Sequence, residues 1–115
     1  MEKSNEEKYV DSHEQELYKR ALKYWGKEAQ IEMMIEEASE LIVALQHYKR
    51  YAMNKPNNES NWHYGEHVCE EIIDVQIMIN QIKLMFDKEK LSIWRYQKLC
   101  QLVERILAYL GNEKK

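Results

Sequence analysis

The sequence predicts an all-α protein, a largely antiparallel bundle of four helices that assembles into oligomers. Two observations predict the helices. The 115 residues include only three Gly and one Pro, while Glu, Lys, Leu, Ile and Gln are abundant, a composition that favours helix throughout. Apolar residues also recur at helical spacing along most of the chain. A third observation predicts assembly: one helix is apolar on two sides, which suits a face shared with another subunit. The length allows one domain with one core.

Bulk properties narrow the function classes. A formal net charge of −3 with mixed signs leaves no basic footprint for nucleic acid. No apolar run approaches the ~20 residues of a membrane span, and the polar start MEKSNEEKYVDS is unlike a signal or transit peptide. Cys69 and Cys100 have no metal-type spacing and read as reduced packing residues. The expectation is a cytoplasmic protein with neither a membrane nor a nucleic-acid partner.

Residues 1–11 are expected to form a flexible, charged leader. Ser12, with Gln15 three residues on, has capping-box spacing and starts a helix over about 13–25, ended by Gly26. The second helix is expected over about 27–52. Its central stretch IEMMIEEASELIVAL groups Ile31, Met34, Ile35, Leu41, Ile42 and Leu45 around Ala38 as a core stripe. The Asn- and Pro-rich segment NKPNNESN, from Asn54 to Asn61, reads as a loop. A third helix over about 62–86 carries Val68, Ile72, Val75, Ile79, Ile82 and Phe86 on one side, with Ile73, Ile77 and Leu84 opposite. The fourth, over about 88–110, carries Leu91, Trp94, Leu99, Leu102, Val103, Ile106, Leu107 and Leu110, and Gly111 ends it. One helical domain over 12–111 and a short tail over 112–115 complete the expected organisation.

Chemistry concentrates on the two central helices. Glu36, Glu37 and Glu40 form EExxE, with Glu37 and Glu40 flanking the apolar stripe; Glu71 and Asp74 form ExxD, with Glu71 inside its stripe. Residues three apart on a helix are neighbours, so each helix can present two carboxylates side by side. If the two helices pack antiparallel, Glu37, Glu40, Glu71 and Asp74 can converge. Converging carboxylates must either take up protons or hold a divalent cation. All-oxygen ligation suits Mg²⁺ or Mn²⁺ rather than zinc, and Mg²⁺ is commonly completed by substrate phosphates. A di-iron bundle needs Glu-x-x-His, and none of His13, His47, His63 or His67 has Glu three residues before it. The bland alternative is that these are solvated carboxylates on charged helices.

The segments WGKEAQ (25–30), EEASEL (36–41) and EEIIDV (70–75) resemble the MazG-like family of all-α nucleoside triphosphate pyrophosphohydrolases. The likeness covers roughly residues 18–86. The interval between Glu40 and Glu71 is long for that family, and the extra length falls in NKPNNESN. The resemblance implies Mg²⁺-dependent hydrolysis of a nucleoside triphosphate to the monophosphate and pyrophosphate, by a homodimer or homotetramer, with Mn²⁺ as a possible substitute. It implies Glu37, Glu40, Glu71 and Asp74 as metal ligands, with Glu36 orienting or deprotonating the attacking water. Gln30, Met33, Trp25 and Met78 are candidates for substrate contact, each with core packing or plain exposure as its alternative. His67, four residues before Glu71, is a further candidate, for a phosphate or a water, with a solvated histidine at a helix start as its alternative. Lys83, Arg95 and Lys98 are candidate triphosphate cations or solvated surface charge. The alternatives in function are a phosphoribosyl-ATP pyrophosphohydrolase and a non-catalytic helical interaction module.

Overall fold

The computed structural model describes residues 2–53 and 61–113, which form four helices and, among the described residues, no strand: α1 (Asn5–Trp25), α2 (Lys27–Tyr51), α3 (Trp62–Lys83) and α4 (Lys88–Glu113). Nearly all of the NKPNNESN segment, from 54 to 60, lies outside the described residues, as do the last two of the expected tail. No described helix is long and apolar enough to cross a membrane. Residues up to Met85 form one compact unit and residues from Phe86 a second.

Helix α1 starts about two turns before the expected position. Ser4, not Ser12, is the cap: the Glu7 backbone N–H donates to Ser4 Oγ (3.1 Å), and the Ser4 N–H donates to a Glu7 carboxylate oxygen (3.0 Å). Both orphan donors of this reciprocal capping box are satisfied. Much of the expected leader is therefore helical. The Ser12–Gln15 signal coincides instead with a kink, where His13 leaves helical geometry (φ −130°, ψ 18°).

One residue separates α1 from α2. Gly26 has φ 86° and ψ 162°, a region that essentially only glycine occupies. Its N–H donates to the Leu22 carbonyl (2.9 Å), and its own carbonyl accepts from the Gln30 N–H (3.2 Å). A Cβ at this position would meet no atom within 4 Å, so the cost of Gly26→Ala is backbone strain alone. We expect that variant to lose about 1–3 kcal/mol, read as a lower urea midpoint at unchanged m-value.

Within the first unit, α2 and α3 form the principal pair, and α1 touches both. Their contacts run in opposite chain directions. The Tyr51 ring lies 5.4 Å from the Tyr64 ring, Tyr48 borders Gly65, and Glu37, lower on α2, meets Glu71 and Asp74, further along α3. The facing residues differ from the expected stripes. On α2 the inward line is Gln30, Glu37 and Ala44, spaced by seven, while Ile31, Ile35, Ile42 and Leu45 are exposed, Ile35 to 62%. On α3 the buried residues are Glu71, Val75, Met78 and Gln81, and Ile72 and Ile79 are exposed. Helical periodicity groups residues on a face but does not say which face meets the neighbour. Here the line through Glu37 turns inward on α2, and Glu71 does so on α3.

Taken by itself, α4 opens on Asp87, whose carboxylate accepts from the backbone N–H groups of Glu89 (2.8 Å) and Lys90 (3.4 Å). It runs through Gly111 to Glu113 rather than ending at Gly111, and it buries none of its residues.

Candidate metal centre

Carboxylates enter the α2–α3 seam from both sides. Glu37 of α2 and Glu71 and Asp74 of α3 each bring one oxygen to a common point, all three within 4.8 Å of one another. The i, i+3 spacing on α3 sets Glu71 and Asp74 side by side. Glu71 is only 6% exposed. Oε2 of Glu37 and Oε2 of Glu71 are both buried with no hydrogen-bond partner. Such atoms carry an unrecovered desolvation cost.

The electrostatics agree with the geometry. Burial pushes the Glu37 carboxyl above the ordinary carboxylate range, and the charges of Glu40, Asp74, Glu71 and Glu36 push the same way. Burial likewise raises Glu71, helped by Glu40 and Asp74, while His67 opposes the rise. Each of these shifts has the direction expected for carboxylates crowded together without a cation.

An open cleft of about 440 Å³ adjoins the cluster, lined by Glu36, Ser39, Glu40, Val43, His67 and Glu71. Glu36 and Glu40 are exposed there. Glu40 is near enough to raise both buried carboxyls, yet it does not belong to the three-residue cluster. The Ser39 hydroxyl donates to the Ile35 carbonyl (2.8 Å) within its own helix. His67 Nε2 lies 3.3 Å from Glu71 Oε1, one helical turn away. For His67, a candidate for a phosphate or a water, the neighbour on α3 is a carboxylate, as its i, i+4 spacing to Glu71 allows.

The candidate substrate residues do not line this cleft. Gln30 is 1% exposed, and its Nε2 donates to the Ala21 carbonyl (3.2 Å). It ties α2 to α1 instead. Met78 is buried in the core, and Met33 is exposed on α2. Trp25, 68% exposed, borders a second groove of about 640 Å³ between α1 and α3, with Tyr18, Ile77 and Gln81 among its walls. There the Tyr18 hydroxyl donates to Glu14 (2.6 Å) and accepts from Asn80 (3.4 Å). Lys83, which ends α3, does not line the cleft either; Arg95 and Lys98 belong to α4, where Lys98 sits 5.8 Å from the Trp94 ring. Cys69 and Cys100 are free thiols.

Carboxylate oxygens are the donor set of a hard divalent cation. The two unpartnered oxygens, and the raised carboxyls behind them, are what such an ion would satisfy. Glu37, Glu71 and Asp74 thus fit Mg²⁺ or Mn²⁺, leaving Glu36 and Glu40 on the open side. No family model, curated protein or solved structure matches this chain.

Proposed function

We propose that the protein is a Mg²⁺-dependent nucleotide pyrophosphohydrolase, cleaving a nucleoside or deoxynucleoside triphosphate to the monophosphate and pyrophosphate. One observation carries the reading: two buried carboxylate oxygens without partners, on adjoining helices, beside a third carboxylate and an open cleft. The resemblance of the EExxE and ExxD segments to MazG-like enzymes supplies the reaction. Glu37, Glu71 and Asp74 hold the ion, and Glu40 completes the set from the cleft wall, with Mn²⁺ a possible substitute for Mg²⁺. When bound, the ion supplies neutralisation of phosphate charge and a lowered pKa for a coordinated water.

The chain's own residues do the rest by position. Glu36 stands exposed on the cleft wall, placed to orient an attacking water and accept its proton. Val43 gives the cleft an apolar flank. Phosphoryl chemistry needs chiefly positioning and electrostatics, which rigid paired helices provide. The exposed apolar residues Ile31, Ile35, Ile42, Ile72 and Ile79, with the uncovered stripe of α4, support a homodimer or homotetramer in which the four helices take a largely antiparallel arrangement. Free thiols are in keeping with a cytoplasmic setting.

Pyrophosphate release from a panel of ribo- and deoxyribonucleoside triphosphates and phosphoribosyl-ATP, with Mg²⁺ and with EDTA, tests the reading. Metal-dependent pyrophosphate from one or a few nucleotides is the expected result. Turnover of phosphoribosyl-ATP alone would move the protein to that reaction. Orthophosphate release, or no turnover together with no divalent-cation binding, would overturn the reading.

A further inference from the structure

We infer that His67 is a positioning residue for the cation site: it holds one oxygen of Glu71 and so commits the other to the ion. The inference rests on the proposed cation site and adds to it a residue outside the carboxylate motifs.

The two oxygens of Glu71 have different surroundings. Oε1 lies 3.3 Å from His67 Nε2, whereas Oε2 is buried and unpartnered. A carboxylate free to rotate about its last torsion would exchange these two oxygens. The imidazole breaks that symmetry. With Nε2 beside Oε1, the carboxylate is held in one orientation, and Oε2, buried and unpartnered, is the oxygen left for the ion. Both side chains stand on α3 at i and i+4, so the helix itself sets their separation. His67 also lines the cleft with nearly half its side chain exposed. The ring is therefore accessible from the cleft while its Nε2 faces the buried carboxylate. Partners of this kind orient ligating groups in metal sites, and their loss typically weakens metal affinity 10–100-fold.

Charge and position predict opposite outcomes. If His67 acted through positive charge alone, removing it would lessen repulsion of a cation and tighten binding. If it acts by holding Glu71, removing it weakens binding.

The test is Mn²⁺ binding, followed by calorimetric titration and by the electron paramagnetic resonance of free Mn²⁺, for wild type, His67→Ala and His67→Gln. Thermal midpoints in EDTA are taken alongside. The expected result is about tenfold weaker Mn²⁺ binding in His67→Ala, an unchanged midpoint in EDTA, and recovery of most of the affinity in His67→Gln, whose amide can place an N–H near Oε1. Unchanged or tighter binding in His67→Ala, or equal losses in both variants, would overturn the inference and leave the cation site standing. Failure of the wild type to bind Mn²⁺ would overturn the cation site, and the role of His67 with it.

Discussion

Asp74→Asn and Glu71→Gln will each cut Mg²⁺-dependent pyrophosphate release on the order of a hundredfold while leaving the helical circular dichroism spectrum intact. The estimate takes roughly 3 kcal/mol of charge stabilisation as lost with one ligand, at about 1.4 kcal/mol per factor of ten. Neither change removes volume, so the seam between α2 and α3 keeps its shape. The loss should fall on kcat and kcat/KM together, because charge on the phosphate oxygens develops most fully in the transition state. Glu40→Gln should cost less than either. Glu40 is exposed and lies outside the close cluster of Glu37, Glu71 and Asp74, so a water can replace its contact more readily. Equal activity in Asp74→Asn and wild type would place the chemistry elsewhere on the molecule.

Mg²⁺ at a hundred times its dissociation constant will raise the thermal midpoint of the metal-free protein by on the order of 10 °C. Binding at that excess is worth about 2.7 kcal/mol, and a domain of this size gains roughly 4 °C per kcal/mol. The gain depends on pH with a definite sign. Glu37 and Glu71 have raised carboxyls when folded, first through burial and then through their acidic neighbours. The folded chain therefore keeps protons that the unfolded chain has released. Their contribution to stability is present below the ordinary carboxylate range and is lost as pH rises through the raised values. The ion requires deprotonated ligands, so its stabilisation grows over that same interval. Without metal, neutral pH should thus give a lower midpoint for wild type than for Glu71→Gln, and Mg²⁺ should reverse the order. A Mg²⁺ shift that is equal in wild type and Glu71→Gln would count against Glu71 as a ligand.

The helices were legible because their signals are local. The boundaries expected at Gly26 and Lys88 agree with the structure, which sets them by the positive φ of Gly26 and by the Asp87 carboxylate. The start of the first helix was not legible: Ser12 with Gln15 was the expected cap, yet that pattern falls on the kink and Ser4 with Glu7 caps α1. The spacing of EExxE and ExxD let four carboxylates converge if the two helices packed antiparallel; Glu37, Glu71 and Asp74 meet, and Glu40 stays outside that cluster. The placement of Gln30 was not legible. A glutamine two turns from Glu37 on the same face can point to a ligand or into a helix crossing, and only the approach of the Ala21 carbonyl decides it. The core assignments on α2 missed for a related reason. That helix carries apolar residues over much of its circumference, and of them only Ala44 is buried.

With Glu37 and Glu71 turned inward, the buried apolar residues among those described are Tyr18, Ala44, Val75 and Met78. Four such side chains, one of them an alanine, fall well short of what a helical domain needs to offset its chain entropy. In the proposed assembly, the missing burial comes from between chains, so folding and association become one equilibrium governed by mass action. On that proposal dilution would act as a denaturant: the amount of folded protein would depend on how much of it there is, and expression level would set whether the carboxylates are brought together.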